Sequence, residues 1–224
     1  MKKAIAILLS LTMILVFAAC GNSASQTEQP STEDTSVESK ADTKSAESST
    51  DMENTDNQDV QDHKVLVAYF SATGTTKGVA VHIANGLNAD IYEIVPEEPY
   101  TDADLDYNDN NSRTTIEMND PNARPVISGS VENMEQYDTV FIGYPIWWGE
   151  APRIVSTFME SYDFSGKTIV PFCTSGGSGI GSSASNLERL TSGATWLDGR
   201  RLNGSDSQDT VMEWVNSLDL NLAE

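Results

Sequence analysis

Short apolar runs alternate with helical patterns from Lys64 to the end of the chain, and this alternation is the feature that most limits the possible folds. The first run, residues 65–70, is apolar on both faces, which is typical of a strand inside a parallel sheet that helices cover on both sides. A helix is predicted next over 75–87, where Val79, Ile83 and Leu87 form one apolar stripe. The alternation predicts an α/β domain with a doubly wound, five-stranded parallel sheet.

The later elements follow the same rule. Further strands are predicted at 91–95, 139–144, 168–173 and 195–200, and further helices at 112–118, 152–161, 184–190 and 208–218. Pro96 is expected to end the second strand, and Asp206 or Ser207 to cap the last helix. The pattern is lost between Pro96 and Val131, apart from the helix at 112–118. Connections of that length in compact domains are usually functional or mobile.

The first 20 residues have the pattern of a secretion signal. Lys2 and Lys3 precede an apolar run over 4–17, which is too short to span a bilayer, and two alanines stand directly before Cys20. Small residues before a cysteine resemble the lipobox of bacterial lipoproteins. That resemblance implies a diacylated Cys20 that anchors the chain at the extracytoplasmic face of the cell membrane. The alternative is an ordinary cleaved signal whose cysteine happens to stand at the cleavage site.

Residues 21–63 are rich in Ser, Thr, Asp, Glu, Asn and Gln and have no periodic apolar pattern, so they are interpreted as a disordered acidic tether. They carry eleven acidic residues against two lysines, and residues 64–224, the predicted folded domain, carry 23 acidic against nine basic residues. Such charge excludes nucleic acid as a partner and favours proteins with basic docking surfaces. The membrane would be contacted only through the lipid on Cys20.

The cysteines and histidines point to no further chemistry. Cys173 is the only cysteine besides Cys20, so no disulfide framework is expected within the chain, and a lone cysteine after an apolar run is usually a buried small side chain. His63 and His82 stand too far from other ligand-type residues to suggest a metal site. Neither a metal ligand nor a catalytic side chain is therefore predicted.

The loop after the first strand carries hydroxyls beside a glycine, immediately before a predicted helix. Its candidate binding residues are Ser71, Thr73, Gly74, Thr75 and Thr76. A phosphate placed there would receive hydroxyl and backbone N–H donors and the positive end of the helix dipole. Neither a Gly-Lys-Ser/Thr ending nor a G-x-G-x-x-G run is present, which excludes the common triphosphate and dinucleotide loops. The alternative is a Ser/Thr-rich cap that only satisfies the first N–H groups of the helix.

A strand that ends in Tyr-Phe and continues as Ser-x-Thr-Gly-x-Thr resembles the FMN phosphate loop of the flavodoxin family. The resemblance extends over residues 64–224 and implies a three-layer α/β/α fold with strand order 2-1-3-4-5. It also implies FMN as the cofactor, with its monophosphate held by the loop that begins at Ser71.

The loop after the third strand contains two adjacent tryptophans, which is a costly exposure unless something stacks on them. Its candidate cofactor-binding residues are Pro145, Ile146, Trp147, Trp148 and Gly149. The stretch Trp148-Gly149-Glu150 is similar to the Trp-Gly-Asp of several flavodoxins, which implies that Trp148 stacks on the flavin and Gly149 contacts its N5 through the backbone. Glu150 would then lie near the ring and lower its potential. The alternative is that the tryptophans pack beneath residues 96–131.

The loop after the fourth strand resembles the pyrimidine-binding loop of the same family. Its candidate residues are Thr174, Ser175, Gly176, Gly177 and Ser178, whose small side chains let the backbone approach a ring edge. Many flavodoxins place a second aromatic residue here, and this loop has none. Either Tyr100 or Tyr107 of the long connection covers that face of the flavin, or the ring stays open to a reactant.

Three functions are consistent with this sequence. The first is an FMN-dependent electron carrier, in which the cofactor supplies the chemistry and the acidic surface guides redox partner proteins. The second is an FMN-dependent NAD(P)H or quinone oxidoreductase, which the open ring face would favour. The third is a non-enzymatic flavin-binding lipoprotein.

Overall fold

The computed structural model describes residues 64–220, so the predictions for 1–20, Cys20 and 21–63 lie outside the described residues. The elements in chain order are β1 (Lys64–Tyr69), α1 (Thr75–Leu87), β2 (Asp90–Glu93), β3 (Val95–Pro96), α2 (Arg113–Asn119), β4 (Ile127–Ser128), a 3-10 turn (Met134–Gln136), β5 (Tyr137–Pro145), α3 (Arg153–Glu160), β6 (Thr168–Thr174), α4 (Ser183–Glu188), β7 (Thr195–Trp196), β8 (Arg200–Leu202) and α5 (Gln208–Asn216). No helix within 64–220 has both the length and the apolar character needed to cross a bilayer.

The main sheet has the order β2-β1-β5-β6-β7, with β8 also paired to β6, and all of these pairs are parallel. The predicted α/β fold with a parallel sheet of about five strands is thereby confirmed. The fifth position is occupied by two short strands, β7 and β8, one after the other along β6, so it differs in detail from the single strand that was expected.

Two apolar clusters cover the two faces of the sheet. On one face, Val67 and Phe141 pack with Val79 and Ile83 of α1 and with Trp214 of α5. The other face packs against apolar residues of α3 and α4, among them Ile154, Phe158 and Leu187. Helices therefore form a layer on each side of the sheet, which explains why the β1, β5 and β6 sequences are apolar without alternation.

The second strand is shorter than the sequence predicted, and it ends three residues before Pro96, so the proline is not what ends it. β2 ends at Glu93, and the chain then enters β3, which pairs antiparallel with β4 in a separate two-stranded sheet. Pro96 lies opposite Ile127 in that pair. Because proline has no N–H to donate, it is found mainly in edge strands, and β3 is a strand of this kind.

The prediction of one continuous strand over 195–200 is wrong for its central residues, which lie between β7 and β8. β7 pairs with Thr168 and Ile169 of β6, β8 pairs with residues from Phe172 onward, and the ladder is broken between them. Pro171 of β6 lies at the break and has no N–H to donate. Gly199 approaches Pro171 so closely that a β-carbon on Gly199 would overlap the proline ring.

The connection between β2 and β5 is ordered around α2. Ser112 caps this helix by accepting a hydrogen bond from the Thr115 N–H, and the Thr114 hydroxyl donates to the Asp104 carbonyl at 2.6 Å. Arg113 forms an ion pair with Glu117 at 2.7 Å and lies over the Tyr100 ring, 4.1 Å from its centroid. These contacts explain how a polar segment with little apolar pattern holds one conformation.

The other helix ends differ from the predictions by one or two residues. Pro152 is the N-cap of α3 instead of a residue in its first turn, and α4 and α5 each end two residues early. Of the two expected caps for α5, Ser207 serves, because its hydroxyl accepts a hydrogen bond from the Thr210 N–H at 3.3 Å.

We expect the same substitution to have opposite effects at two glycines. A β-carbon on Gly143 of β5 would overlap the Phe172 ring, so Gly143→Ala should lower the free energy of unfolding by about 1–3 kcal/mol. Gly78 lies inside α1 with open space around its Cα, so Gly78→Ala should raise it by about 0.5–1 kcal/mol. Urea denaturation of both variants measures the difference, and equal effects would contradict this account of the core.

Candidate functional site

The loops that follow β1, β5 and β6 line one cleft of about 690 Å³ at the carboxyl edge of the sheet, together with part of the connection between β2 and β5. The lining residues are Ser71, Ala72, Thr73, Thr75, Thr76, Leu105, Tyr107, Thr114, Pro145, Ile146, Trp147, Trp148, Thr174, Ser175 and Gly176. Eleven of the fifteen residues predicted to bind the cofactor are therefore brought together. Gly74, Gly149, Gly177 and Ser178 belong to the same loops but do not line the cleft.

Thr174, the last residue of β6, joins the three loops. Its hydroxyl and that of Thr76 are 2.8 Å apart, and both side chains are almost completely buried. Its carbonyl accepts a hydrogen bond from the Ile146 N–H at 2.9 Å. Thr174 therefore fixes the first and second loops to the end of the central strand that carries the third.

The first loop presents exposed hydroxyls at the start of α1. Gly74 is the N-cap, with φ of 85°, and no side chain caps the helix. The alternative in which these hydroxyls only cap the helix is therefore not what the structure shows. Thr73 and Thr75 are exposed, with their hydroxyls 3.5 Å apart. These hydroxyls and the N–H groups of the first turn are donors of the kind that bind an anion without a basic side chain.

The second loop makes a tight turn from Trp147 to Glu150, closed by backbone hydrogen bonds of 2.9 and 3.0 Å in both directions. The two central residues have positive φ, 49° at Trp148 and 82° at Gly149. Positive φ is costly for a bulky aromatic residue. The turn leaves the Trp148 side chain 47% exposed at the cleft.

Trp147 has a different environment from its neighbour. Its ring makes edge contacts with Phe70 at 5.5 Å and with Tyr100 at 5.4 Å between ring centroids. The alternative in which a tryptophan packs against the 96–131 connection therefore applies to Trp147, which still lines the cleft. Trp148 is the tryptophan that remains available to a ligand.

Of the five residues predicted in the third loop, the first three, Thr174, Ser175 and Gly176, line the cleft. Arg201 of β8 donates a hydrogen bond to the Ser175 carbonyl at 3.4 Å, and the Ser175 hydroxyl donates to the Ser178 carbonyl. The second of these bonds closes the loop on itself, and Gly177 and Ser178 do not line the cleft.

The connection between β2 and β5 supplies three lining residues that were not among the predicted binding residues, namely Leu105, Tyr107 and Thr114. Tyr107 is 74% exposed. Tyr100 is occupied elsewhere, since its hydroxyl donates to Glu117 at 2.6 Å and burial raises its pKa. Of the two tyrosines considered for the second flavin face, only Tyr107 lines the cleft. The unusual length of the connection was the only sequence signal for Leu105 and Thr114, whereas Tyr107 was one of the two tyrosines predicted as candidates for the second flavin face.

No acidic or basic side chain lines the cleft, although the domain as a whole is strongly acidic. Glu150, which was expected near the ring of a bound flavin, is not among the residues that line the cleft. Its carboxylate accepts hydrogen bonds from Ser182 and Asn186 at the start of α4, on the other side of the turn. The physical reason is that the tight turn reverses the chain between Trp148 and Glu150.

Cys173 precedes the Thr174 junction and is completely buried. Burial raises the pKa of its thiol to about 11, and Arg201 opposes the shift only in part. A protonated, inaccessible thiol is inert, as predicted for a small core side chain.

We expect the bond between Thr76 and Thr174 to be measurable as a coupling energy. Thr76→Val leaves the buried Thr174 hydroxyl without this partner, and each single substitution should cost about 1–3 kcal/mol of unfolding free energy. The double variant should lose about 0.5–1.5 kcal/mol less than the sum of the two. Additive losses in denaturation of the flavin-free protein would show that the bond is not formed.

Comparison with known proteins agrees with the fold. The sequence profile of the family described as flavodoxin matches residues 64–218. No curated protein is significantly similar to the chain.

Three solved structures show how far the likeness extends. A proposed flavoprotein from Bacteroides eggerthii is 48% identical, with a TM-score of 0.67, over 70% of this chain and 99% of that one. A second, from Bacteroides uniformis, is 47% identical with a TM-score of 0.66, over 69% and 98%. A flavoprotein of Lactobacillus acidophilus, solved in complex with FMN, shares the fold at 21% identity and a TM-score of 0.54, over 70% and 99%. Because the family profile matches more than half of the 224 residues, this chain belongs to the flavodoxin family.

Proposed function

We propose that this protein is an FMN-binding electron carrier, held by lipid on Cys20 at the extracytoplasmic face of the cell membrane. The observation that carries the proposal is a single cleft with two chemically different ends. One end offers hydroxyl donors at an uncapped helix start, and the other offers an exposed tryptophan on a strained turn. A molecule that joins a phosphate to a flat ring, as FMN does, matches both ends.

The phosphate of FMN would lie at the first loop. Ser71, Thr73 and Thr75 line that part of the cleft, and α1 begins there without a side-chain cap. Thr76 lines the cleft too, but its hydroxyl already bonds to Thr174, so we assign it to positioning the loop in addition to any contact with phosphate. Gly74 allows the left-handed backbone conformation, with φ of 85°, at which the loop enters the helix.

The ring of FMN would lie between the second loop and Tyr107. Trp148 and Tyr107 are the two exposed aromatic side chains among the lining residues. Thr174, Ser175 and Gly176 would face the edge of the ring with small side chains and backbone groups. This arrangement excludes water from an aromatic ligand on more than one side.

FMN supplies the redox chemistry when it is bound, and the protein supplies position and environment. The cleft contains no Asp, Glu, His, Lys or Arg that could deliver a proton to a substrate. An electron carrier needs no acidic or basic side chain beside the flavin, and in this respect the lining agrees with the proposal.

The membrane location and the partners are proposed from the sequence. The lipobox-like residues before Cys20 support the anchor, and the surplus of 23 acidic over nine basic residues in 64–224 supports partners with basic docking surfaces. Electron transfer to a basic partner that did not slow with added salt would contradict such docking.

The cofactor and its orientation can be tested together with FMN and riboflavin, which differ only in the phosphate. Thr73→Val should weaken FMN binding roughly tenfold and leave riboflavin binding unchanged, because only FMN loses a hydrogen bond to a charged group. Trp148→Ala should weaken both ligands to a similar degree, and Trp148→Phe much less, because a ring contact is lost. Titration with flavin absorbance and fluorescence measures all of these affinities.

Thr210→Val, at the first turn of α5 and away from the cleft, serves as the threonine control and should change neither affinity. Wild-type protein that retains neither flavin after dialysis would overturn the proposed function. If Thr73→Val weakened the binding of FMN and of riboflavin equally, the phosphate would not lie at the first loop.

The anchor can be tested by cell fractionation. We expect wild-type protein in the membrane fraction and Cys20→Ser protein outside it, because only the cysteine thiol can accept the diacylglycerol. Cys173→Ser, which removes a buried thiol of the folded domain, is the matched control and should remain with the membrane. A Cys20→Ser variant that stays membrane-bound would contradict lipid anchoring.

A further inference from the structure

The Glu150 carboxylate connects the Trp147–Glu150 turn to the first turn of α4. One carboxylate oxygen accepts a hydrogen bond from the Ser182 hydroxyl at 3.0 Å, and the other accepts from the Asn186 side-chain amide at 2.8 Å. Ser182 is the N-cap position of α4, and Asn186 lies one turn further along. Both carboxylate oxygens are thus bound to one short helix that follows the third loop of the cleft.

That helix start is itself fixed to the core. The Tyr144 and Ser183 hydroxyls are 3.1 Å apart, and both side chains are completely buried. The Ser183 hydroxyl also lies 2.5 Å from the Ile180 carbonyl. Glu150 therefore bonds to a helix whose first residue is attached to the buried Tyr144.

The turn needs such an attachment. Trp148 has φ of 49°, a conformation that is costly for a bulky residue and persists only where surrounding contacts hold it. The two backbone bonds between Trp147 and Glu150 close the turn but do not fix it against the rest of the domain. The Ile146 N–H bond to Thr174 holds the turn at its beginning, and the Glu150 carboxylate holds it at its end.

We propose that Glu150 is a positioning residue for the cofactor: it holds Trp148 and Gly149 in the conformation that presents the tryptophan ring to the cleft. Glu150 does not line the cleft, so it acts through the turn and not by contact with a ligand. The part of this proposal that concerns flavin rests on the proposed function, whereas the attachment of the turn to α4 does not.

The attachment is tested first without flavin. The measured quantity is the hydrogen exchange rate of the Trp147 amide, which donates to the carbonyl of residue 150. This rate should be about tenfold higher in Glu150→Ala and in Asn186→Ala than in wild-type protein. That factor is the effect expected for losing one hydrogen bond to a charged group. Asn186→Ala keeps the Glu150 charge, so it separates the hydrogen bond from electrostatics. Glu188→Ala removes an exposed carboxylate from the same helix and should leave exchange unchanged. Unchanged exchange in both test variants would overturn the proposal.

The effect on binding is tested with FMN and riboflavin. Glu150→Ala should weaken both by the same factor, roughly tenfold, because the turn is at the ring end of the cleft. Glu150→Gln keeps an acceptor for Ser182 and should fall between wild type and Glu150→Ala. The double variant with Asn186→Ala should be no worse than Glu150→Ala alone, since both remove one connection. The proposal would be overturned if the losses of flavin affinity in the two single variants added in the double variant. It would also be overturned if Glu188→Ala lost as much flavin affinity as Glu150→Ala.

Failure of the proposed function gives a different result. Wild-type protein that binds neither flavin would refute FMN binding, and the amide exchange of the flavin-free variants would still decide whether Glu150 holds the turn.

Discussion

The parallel pairing of β5 with β1 on one side and β6 on the other determines where the site lies. Phe141 of β5 stands between Val67 and Val170, and the same register continues to the ends of the three strands. Parallel strands end at the same edge, so their following loops must meet there. Pro145 and Thr174 are register partners at that edge. The junction at Thr174, a buried hydroxyl bonded to one loop and a carbonyl bonded to another, depends on this pairing.

The parts of the fold that the sequence predicted well are those whose signal is local. Strands buried on both faces have continuous apolar runs, and the stripe on α1 has helical spacing, so β1, β5, β6 and α1 could be recognised from neighbouring residues alone. The errors lie where a distant residue decides. Pro96 could be recognised as unsuitable for a central strand, but its partner Ile127 could not be known. The break between β7 and β8 depends on Pro171, more than twenty residues earlier in the chain.

The same distinction applies to the cleft. Residues directly after a strand were predictable as site residues, because the topology fixes where strand ends lie. Leu105 and Thr114 were not, and Tyr107 was only one of two candidate tyrosines, because the positions of these residues depend on tertiary contacts such as the Thr114 hydroxyl on the Asp104 carbonyl and the Arg113 guanidinium over Tyr100. The bonding of the Glu150 side chain to α4 could not be predicted either, since it follows from the positive φ at Trp148 and Gly149.

The positive φ at Trp148 also shows how the backbone at the cleft differs from that of the surrounding sheet and helices. Among the described non-glycine residues with positive φ, Asn88, Asn133 and Asp219 are of types that tolerate this conformation, whereas the bulky Trp148, for which it is costly, lies beside the cleft. The charges are divided in a similar way, with acidic side chains outside and none of either sign lining the cleft. A ligand in this cleft is therefore influenced mainly by stacking, by hydroxyl and backbone hydrogen bonds and by the geometry of that turn. Since the turn is held from both ends, by Thr174 and by Glu150, its geometry is a property of the whole carboxyl edge of the sheet.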